Sequence, residues 1–418
     1  MRVPTLLAEV LGLKFARVVD AQFEPFGLLV DVALTTRVPR CGGCYRKVSS
    51  LYDRRPHRRW RHLDVAGMEV RLRYSLRRVD CRECGVRGEL VPWADPGSSF
   101  TRDFEEQAAY LAQRADKTTV ASMMRVAWTT VGSIVERVVA RLRPDDVLDG
   151  LKVIGIDELS YRKHHEYVTV VVDHHSGRVV WVREGKNAAT LTEFFTELGP
   201  ERAKALEAVT IDMSAAYIKA VTAATPAARL IFDRFHVQRL AHEAVDEVRR
   251  SMARTLDDAE ERRTLKGVRF ALQKNSWNLL QSEYDKLAEL QKTNRPLYRA
   301  YLLKETLVAI LDGRQPNVAA DKLDRWIRWA CRSKLKPFRK LAATIRKYKD
   351  GIIGYVATRL NNGRTEGLNG KIRTITRRSF GFHRAQSLIA MIFLCCSGIE
   401  LQPLHRLPSA KAVHPLVS

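Results

Sequence analysis

Two short apolar runs of this chain, Val153-Ile-Gly-Ile-Asp157 and Ala208-Val-Thr-Ile-Asp212, each stop at an aspartate. An unbroken apolar run reads as a strand covered on both faces, because a strand with one wet face would alternate. Between the two lie Tyr167-Val-Thr-Val-Val-Val-Asp173 and Arg178-Val-Val-Trp-Val-Arg183, joined by His174-His-Ser-Gly177, a pattern that predicts a hairpin. A helix is expected over 188–198, and Met213-Ser-Ala-Ala-Tyr217 opens another. Three antiparallel strands, a helix, a fourth strand and a helix confine this part of the chain to an α/β sheet.

That element order is the order of a ribonuclease H-like domain, whose first and fourth strands lie side by side, so Asp157 and Asp212 are expected to be neighbours. Adjacent carboxylates repel unless cations sit between them. A pair of Mg2+ or Mn2+ ions held by a few carboxylates is the usual solution, one activating a nucleophile and the other the leaving oxygen. A third acid is expected, and residues 351–418 offer only Glu366 and Glu400 against 9 basic groups. Glu366 lies in Asn361-Asn-Gly-Arg-Thr-Glu366-Gly-Leu-Asn-Gly-Lys371, which predicts the start of a helix. Asn369, Arg373 and Arg377 follow it at helical spacing, so one face is expected to carry a metal ligand and then a polar, basic track; with Lys371 it would face a phosphate backbone.

The whole chain has 71 Lys+Arg against 47 Asp+Glu, a formal net charge of +24, which makes a polyanion the expected partner. The excess is uneven, since residues 151–240 hold 12 basic and 11 acidic groups between basic flanks. No apolar stretch approaches the roughly 18 residues of a membrane span, and the first residues lack a signal-peptide core. A cytoplasmic protein with no membrane partner is expected, nucleoid-associated when bound to DNA.

Four of the 7 cysteines form two Cys-x-x-Cys pairs, Cys41 with Cys44 and Cys81 with Cys84. Four thiolates suit a structural tetrahedral Zn2+, and Met68 to Tyr74 alternates like a strand leading to the second pair. His57 and His62 are read as phosphate-facing or packed side chains. Residues 41–80 hold 11 basic and 4 acidic groups, and Arg54, Arg55, Arg58, Arg59 and Arg61 are expected to face DNA. Thr101 followed by Asp103 and Glu105 predicts a helix start; helices over 117–124 and 129–142 then predict a helix-turn-helix.

From Val237 onward the pattern is almost wholly helical, with helices expected over 237–256, 258–268, 277–290, 296–311 and 319–331. The stretch Cys331 to Lys340 and Arg346 to Lys349 is basic and free of acids, so Lys334, Lys336, Arg339 and Lys340 are expected to clamp a DNA backbone. Trp277, Trp326 and Trp329 are expected in the core.

The segments Gly155-Ile-Asp157-Glu, Thr210-Ile-Asp212-Met-Ser, Phe232-Asp-Arg-Phe-His236-Val and Asn362-Gly-Arg-Thr-Glu366-Gly-Leu-Asn-Gly-Lys371 resemble those of the ISL3 family of bacterial insertion-sequence transposases. The resemblance runs over nearly the whole chain. It implies an Asp-Asp-Glu site of Asp157, Asp212 and Glu366 holding two Mg2+ or Mn2+, with His236 and Asn369 beside it. It also implies double-stranded DNA as partner, both transposon ends and target, and a homodimer or higher oligomer. The implied layout is an N-terminal β module with a four-cysteine zinc finger over 1–98 and a helix-turn-helix domain over 99–148. A ribonuclease H-like catalytic core follows over 151–236 and 351–418, split by an all-helical insertion over 237–350. The expected function is binding of terminal inverted repeats with metal-dependent DNA cleavage and strand transfer. A regulator that binds DNA without cutting it, and a structure-selective ribonuclease H-like nuclease, are the alternatives.

Overall fold

The computed structural model describes residues 2–162, 166–360, 363–379, 382 and 384–403, with the backbone alone for 261 and 363–366. The chain forms two compact units: residues up to Arg143 with those from Phe393, and Pro144–Ile392.

In the first unit, α1 (Val3–Val10) precedes a sheet of β1 (Ala16–Glu24), β2 (Gly27–Leu34), β3 (Leu51–Val65), β4 (Met68–Cys81) and β5 (Gly85–Gly88). The order is β1-β2-β4-β3, with β5 on β4 and β2 parallel to β4. Ala66 and Gly67 both take positive φ, 51° and 78°, which matches the right-handed twist of a tight β3–β4 turn. The alternation read over 68–74 continues to Cys81, so a single strand carries the second cysteine pair into place. Trp60, Leu72 and Trp93 fill the core beneath, the two indoles edge to face at 5.6 Å.

Three helices follow, α2 (Arg102–Ala112), α3 (Lys117–Met124) and α4 (Trp128–Leu142). Thr101 caps α2 by accepting from the Phe104 amide, and Asp116 caps α3 by accepting from Thr118 and Thr119 at 2.9 and 3.0 Å. Arg125 ends α3 in the left-handed region, φ 54°, which turns the chain sharply into α4. Glu105, fully buried in α2, accepts from Ser98 Oγ and Arg137 Nε, each at 2.7 Å, and so ties α4 to α2.

The second unit is built on β6 (Val153–Arg162), β7 (Glu166–Asp173), β8 (Val179–Glu184), β9 (Ala208–Ile211) and β10 (Arg229–Phe232), in the order β10-β9-β6-β7-β8. Strand β7 is antiparallel to β6 and β8, whereas β6, β9 and β10 run parallel. Helices α5 (Ala188–Leu198), α6 (Pro200–Lys204) and α7 (Ala215–Ala224) connect them. From Arg234 to Thr358 the elements are all helical: α8 (Arg234–Thr255), α9 (Ala259–Gly267), α10 (Arg269–Gln273), a 3-10 turn at Ser276–Asn278, α11 (Gln281–Thr293), α12 (Arg295–Asp312), α13 (Pro316–Arg332), α14 (Lys336–Lys347) and α15 (Lys349–Thr358). Helix α15 lies so close on β10 that a Cβ at Gly351 would come within 2.4 Å of the Phe232 ring. Helices α16 (Gly363–Arg378) and α17 (Ala385–Cys396) end the described elements, and α16 packs on β6.

Several elements differ from the sequence reading. Strand β10 was not expected. Helix α8 starts at Arg234, so a boundary at 236 falls inside its first turn. The helix expected from Trp277 begins at Gln281, because the backbone before it is drawn into the 3-10 turn; Trp326 is buried, while Trp277 is 63% exposed. The last turn of α17 packs with the first unit, where Gln113 Nε2 donates to Leu394 O at 2.7 Å and Ile399 O at 3.1 Å; the stretch 351–418 is therefore divided at Phe393.

Candidate functional site

Strand register brings the two aspartates together. Gly155 of β6 is opposite Thr210 of β9, so Asp157 and Asp212, each two residues further, lie at the same level just past the paired stretch of these parallel strands; β9 stops before Asp212, whereas β6 does not stop at Asp157 as expected but runs on to Arg162 along β7. Phe232 of β10 is opposite Ile211, which sets Asp233 beside Asp212 in the same row. Asp233 is buried and caps α8, its side chain accepting from the Phe235 amide at 3.2 Å. The signal for this third strand was present in Leu230-Ile-Phe-Asp233, a third apolar run stopping at an aspartate.

Each site carboxylate is held by the chain. Asp157 Oδ1 accepts from the Glu158 amide at 2.7 Å, and Oδ2 accepts from Asn369 Nδ2 at 2.5 Å. Asp212 Oδ1 accepts from the Ser214 amide at 2.9 Å. Burial pushes the Asp157 carboxyl up; the Glu158 amide, the His236 ring and the Asn369 amide pull against it, and the Asp212 charge adds to the rise. Burial likewise raises Glu158, reinforced by Asp212. Tyr217, buried on α7, shares a 2.8 Å hydrogen bond with Thr169.

Asn369 is 4% exposed, and its Oδ1 has no hydrogen-bond partner among the described residues. Burial divides the track expected from the spacing: Asn369 is buried, whereas Arg373 and Arg377, which follow it at i+4 and i+8, are exposed. Leu368, Asn369, Ile372 and Ile375 turn inward, while Lys371, Arg373 and Arg377 are exposed, because β6 claims the apolar side of α16. Glu366 lies on α16 one turn before Asn369, and its side chain is outside the described residues. His236 belongs to the first turn of α8 rather than to a strand end, with Nε2 3.9 Å from Asp233 Oδ2.

In the first unit the four Sγ atoms of Cys41, Cys44, Cys81 and Cys84 lie within 4.8 Å of one another, a cluster sized for one metal ion. Gly43 allows the close approach, since a Cβ there would stand 3.0 Å from Cys84 Sγ. Gly43 N donates to Cys41 Sγ at 3.3 Å, and the amides of Cys84 and Glu83 draw the Cys81 thiol down to about 7.

The arginines expected to face DNA divide into two groups. Arg54, Arg55 and Arg59 are exposed on β3. Arg58 donates to Ser98 O at 3.0 Å and lies 4.9 Å from the Trp60 ring centroid. Arg61 is buried, 2.5 Å from Asp64 and stacked over Phe104 at 5.4 Å, so it cannot reach a phosphate. His62 is buried and shares a 2.9 Å bond with Thr101 Oγ1; burial lowers its pKa to about 4. In the second unit, Lys334 precedes α14, whose inner face is Phe338, Leu341, Ala342 and Ile345. Lys336, Arg339, Lys340, Arg346 and Lys347 form its exposed face, with no carboxylate within ion-pair distance among the described residues.

Three family descriptions match the chain in order. Residues 37–84 match the zinc-finger of transposase IS204/IS1001/IS1096/IS1165, residues 89–139 the helix-turn-helix domain of transposase family ISL3, and residues 154–392 a transposase family. The transposase for insertion sequence element IS1557 of two Mycobacterium tuberculosis strains is 42% identical over 385 residues, 86% of each chain. The transposase for insertion sequence element IS1001 of Bordetella parapertussis is 30% identical over 352 residues, covering 83% of this chain and 86% of its own.

Proposed function

The chain belongs to the ISL3 family of transposases, and on that premise we propose that it cuts DNA at the terminal inverted repeats of an insertion sequence and joins the freed ends to target DNA. It is an enzyme with zinc-ribbon, helix-turn-helix and catalytic transposase domains in that order. The observation that carries the finer reading is the shared level of Asp157 and Asp212 on neighbouring parallel strands. The strand order, with only β7 reversed, supports a ribonuclease H-like core interrupted by a helical insertion.

The donor set fits a divalent cation: two aspartates side by side, a buried Asn369 Oδ1 without a partner, and Glu366 one turn earlier on the same helix. A Mg2+ or Mn2+ pair bound there supplies Lewis-acid activation of a water, or a 3′-hydroxyl, and of the leaving oxygen. Asn369 and the Glu158 amide fix both oxygens of Asp157 in one orientation, so that little reorganisation remains at the moment of reaction. His236, in the first turn of α8 directly after Asp233, is placed to meet a phosphate or a water. Exposed Arg54, Arg55 and Arg59 in the first unit, and Lys336, Arg339, Lys340, Lys371, Arg373 and Arg377 in the second, suit backbone contacts. The cysteine cluster suits a structural Zn2+. Joining two ends in one complex calls for a dimer or larger assembly. Among the described residues no helix is long and apolar enough to cross a membrane.

Nicking of a terminal-repeat duplex with Mg2+ or Mn2+ tests the reading. Asp157→Asn, Asp212→Asn and Glu366→Gln should each abolish nicking while duplex binding persists; a variant that nicks like the parent removes that residue from the site.

A further inference from the structure

Trp277 stands uncovered on a turn that the protein holds with unusual care. Lys304, fully buried on α12, donates Nζ to Lys274 O at 2.6 Å and pairs with Glu305 at 2.6 Å. Glu305 in turn accepts from the Ser276 amide at 2.8 Å. From the other side Glu283 accepts from Lys274 Nζ at 2.7 Å and from the Leu280 amide at 2.9 Å. Burying an ammonium is costly and is tolerated when the charge fixes one geometry. Here it fixes the backbone at Lys274 and, through Glu305, at Ser276, just before an indole that is 63% exposed, while Glu283 holds Leu280 after it.

The charges around the turn indicate what the indole meets. From Arg262 to Ser282 the chain carries Arg262, Arg263, Lys266, Arg269 and Lys274 and no acid, although Asp257, Asp258, Glu260 and Glu261 immediately precede the run; Asp246, Glu283 and Glu305 are matched by Arg249, Lys274 and Lys304. Phe270, 68% exposed, is interleaved with those cations. Exposed aromatics interleaved with cations are the composition of a surface that binds single-stranded nucleic acid, where bases stack on rings and cations track phosphates.

We propose that Trp277 is a stacking platform for an unpaired nucleobase, with the cations of α9 and α10 taking the phosphates of the same strand. Bases inside a duplex have their faces covered by neighbours, so only a base freed from its stack can use the platform. The proposal rests on the DNA-cutting reading for the source of such a strand.

Binding of a labelled oligothymidine and of a blunt duplex of equal length, by the full chain and by Trp277→Ala and Trp277→Phe, tests it. Trp277→Ala should lose about 5- to 100-fold in affinity for oligothymidine, with duplex affinity and melting temperature unchanged. Trp277→Phe should recover most of the loss, and oligothymidine should quench the fluorescence of the parent more than that of Trp277→Phe. An equal loss on both DNAs, no loss on oligothymidine, or a change confined to self-association overturns the platform. Failure of the parent to bind the duplex at all would instead overturn the DNA-cutting reading.

Discussion

The Asn369 side-chain amide donates to Asp157 Oδ2 at 2.5 Å, although 212 residues separate the two. The bond ties α16 to the middle of β6 and leaves Asn369 Oδ1 buried beside Asp157. It makes the second half of the site, which the sequence carries far from the first, part of the same rigid unit.

Asn369→Leu should therefore weaken metal use more than folding. Loss of a partner that orients a ligand typically costs 10- to 100-fold in metal affinity, so the Mn2+ concentration for half-maximal nicking should rise about tenfold or more. A titration of nicking rate against Mn2+ reads this, and an unchanged midpoint would show that the bond does not orient Asp157.

Each chain should carry one zinc, measured by elemental analysis of the purified protein. Cys81→Ser or Cys84→Ser should lower that stoichiometry and the melting temperature together, because the metal would cross-link the Cys41–Cys44 segment to the Cys81–Cys84 segment. Retention of one zinc per chain by both variants would place the metal elsewhere.

Arg59 and Arg61 are two residues apart on β3 and should behave oppositely. Arg59→Ala should weaken DNA binding and lower the slope of log affinity against log salt by about one, with stability unchanged. Arg61→Ala should lower stability by removing the buried guanidinium packed over Phe104 and paired with Asp64, with an unchanged salt slope. Urea unfolding and salt-dependent binding distinguish the two.

His62 should make the protein less stable in mild acid. Its folded pKa, about 4, lies below the ordinary value near 6.5, so the unfolded chain binds the proton first. Its contribution is present above about pH 6.5 and is lost as pH falls toward 4, by about 3 kcal/mol at most. Against the parent, His62→Asn should show a flatter fall of urea midpoint between pH 7 and pH 4.5; parallel curves would contradict this.

Much of the local structure was legible. Helices over 117–124 and 188–198 match α3 and α5, since cap residues and apolar spacing act within one or two turns. Strands β7 to β9 agree to within a residue of their ends for the same reason. Strand β10 was missed because four residues leave too little pattern to count, although Asp233 follows it as Asp212 follows β9. Helical spacing alone placed Asn369 with Arg373; it could not know that β6 would take the apolar side of α16.

The sequence by itself determined the cysteine pairs, the apolar runs stopping at aspartates and the surplus of cations, because each is a matter of residue type at short spacing. Tertiary structure alone decided which of those groups are spent inside the protein. It buried Arg61 against Asp64, turned Asn369 onto Asp157 and left Trp277 exposed on a turn that Lys304 holds at Lys274. Burial and pairing depend on what a distant segment brings to the same place, and strand register and helix packing, not local spacing, set that meeting.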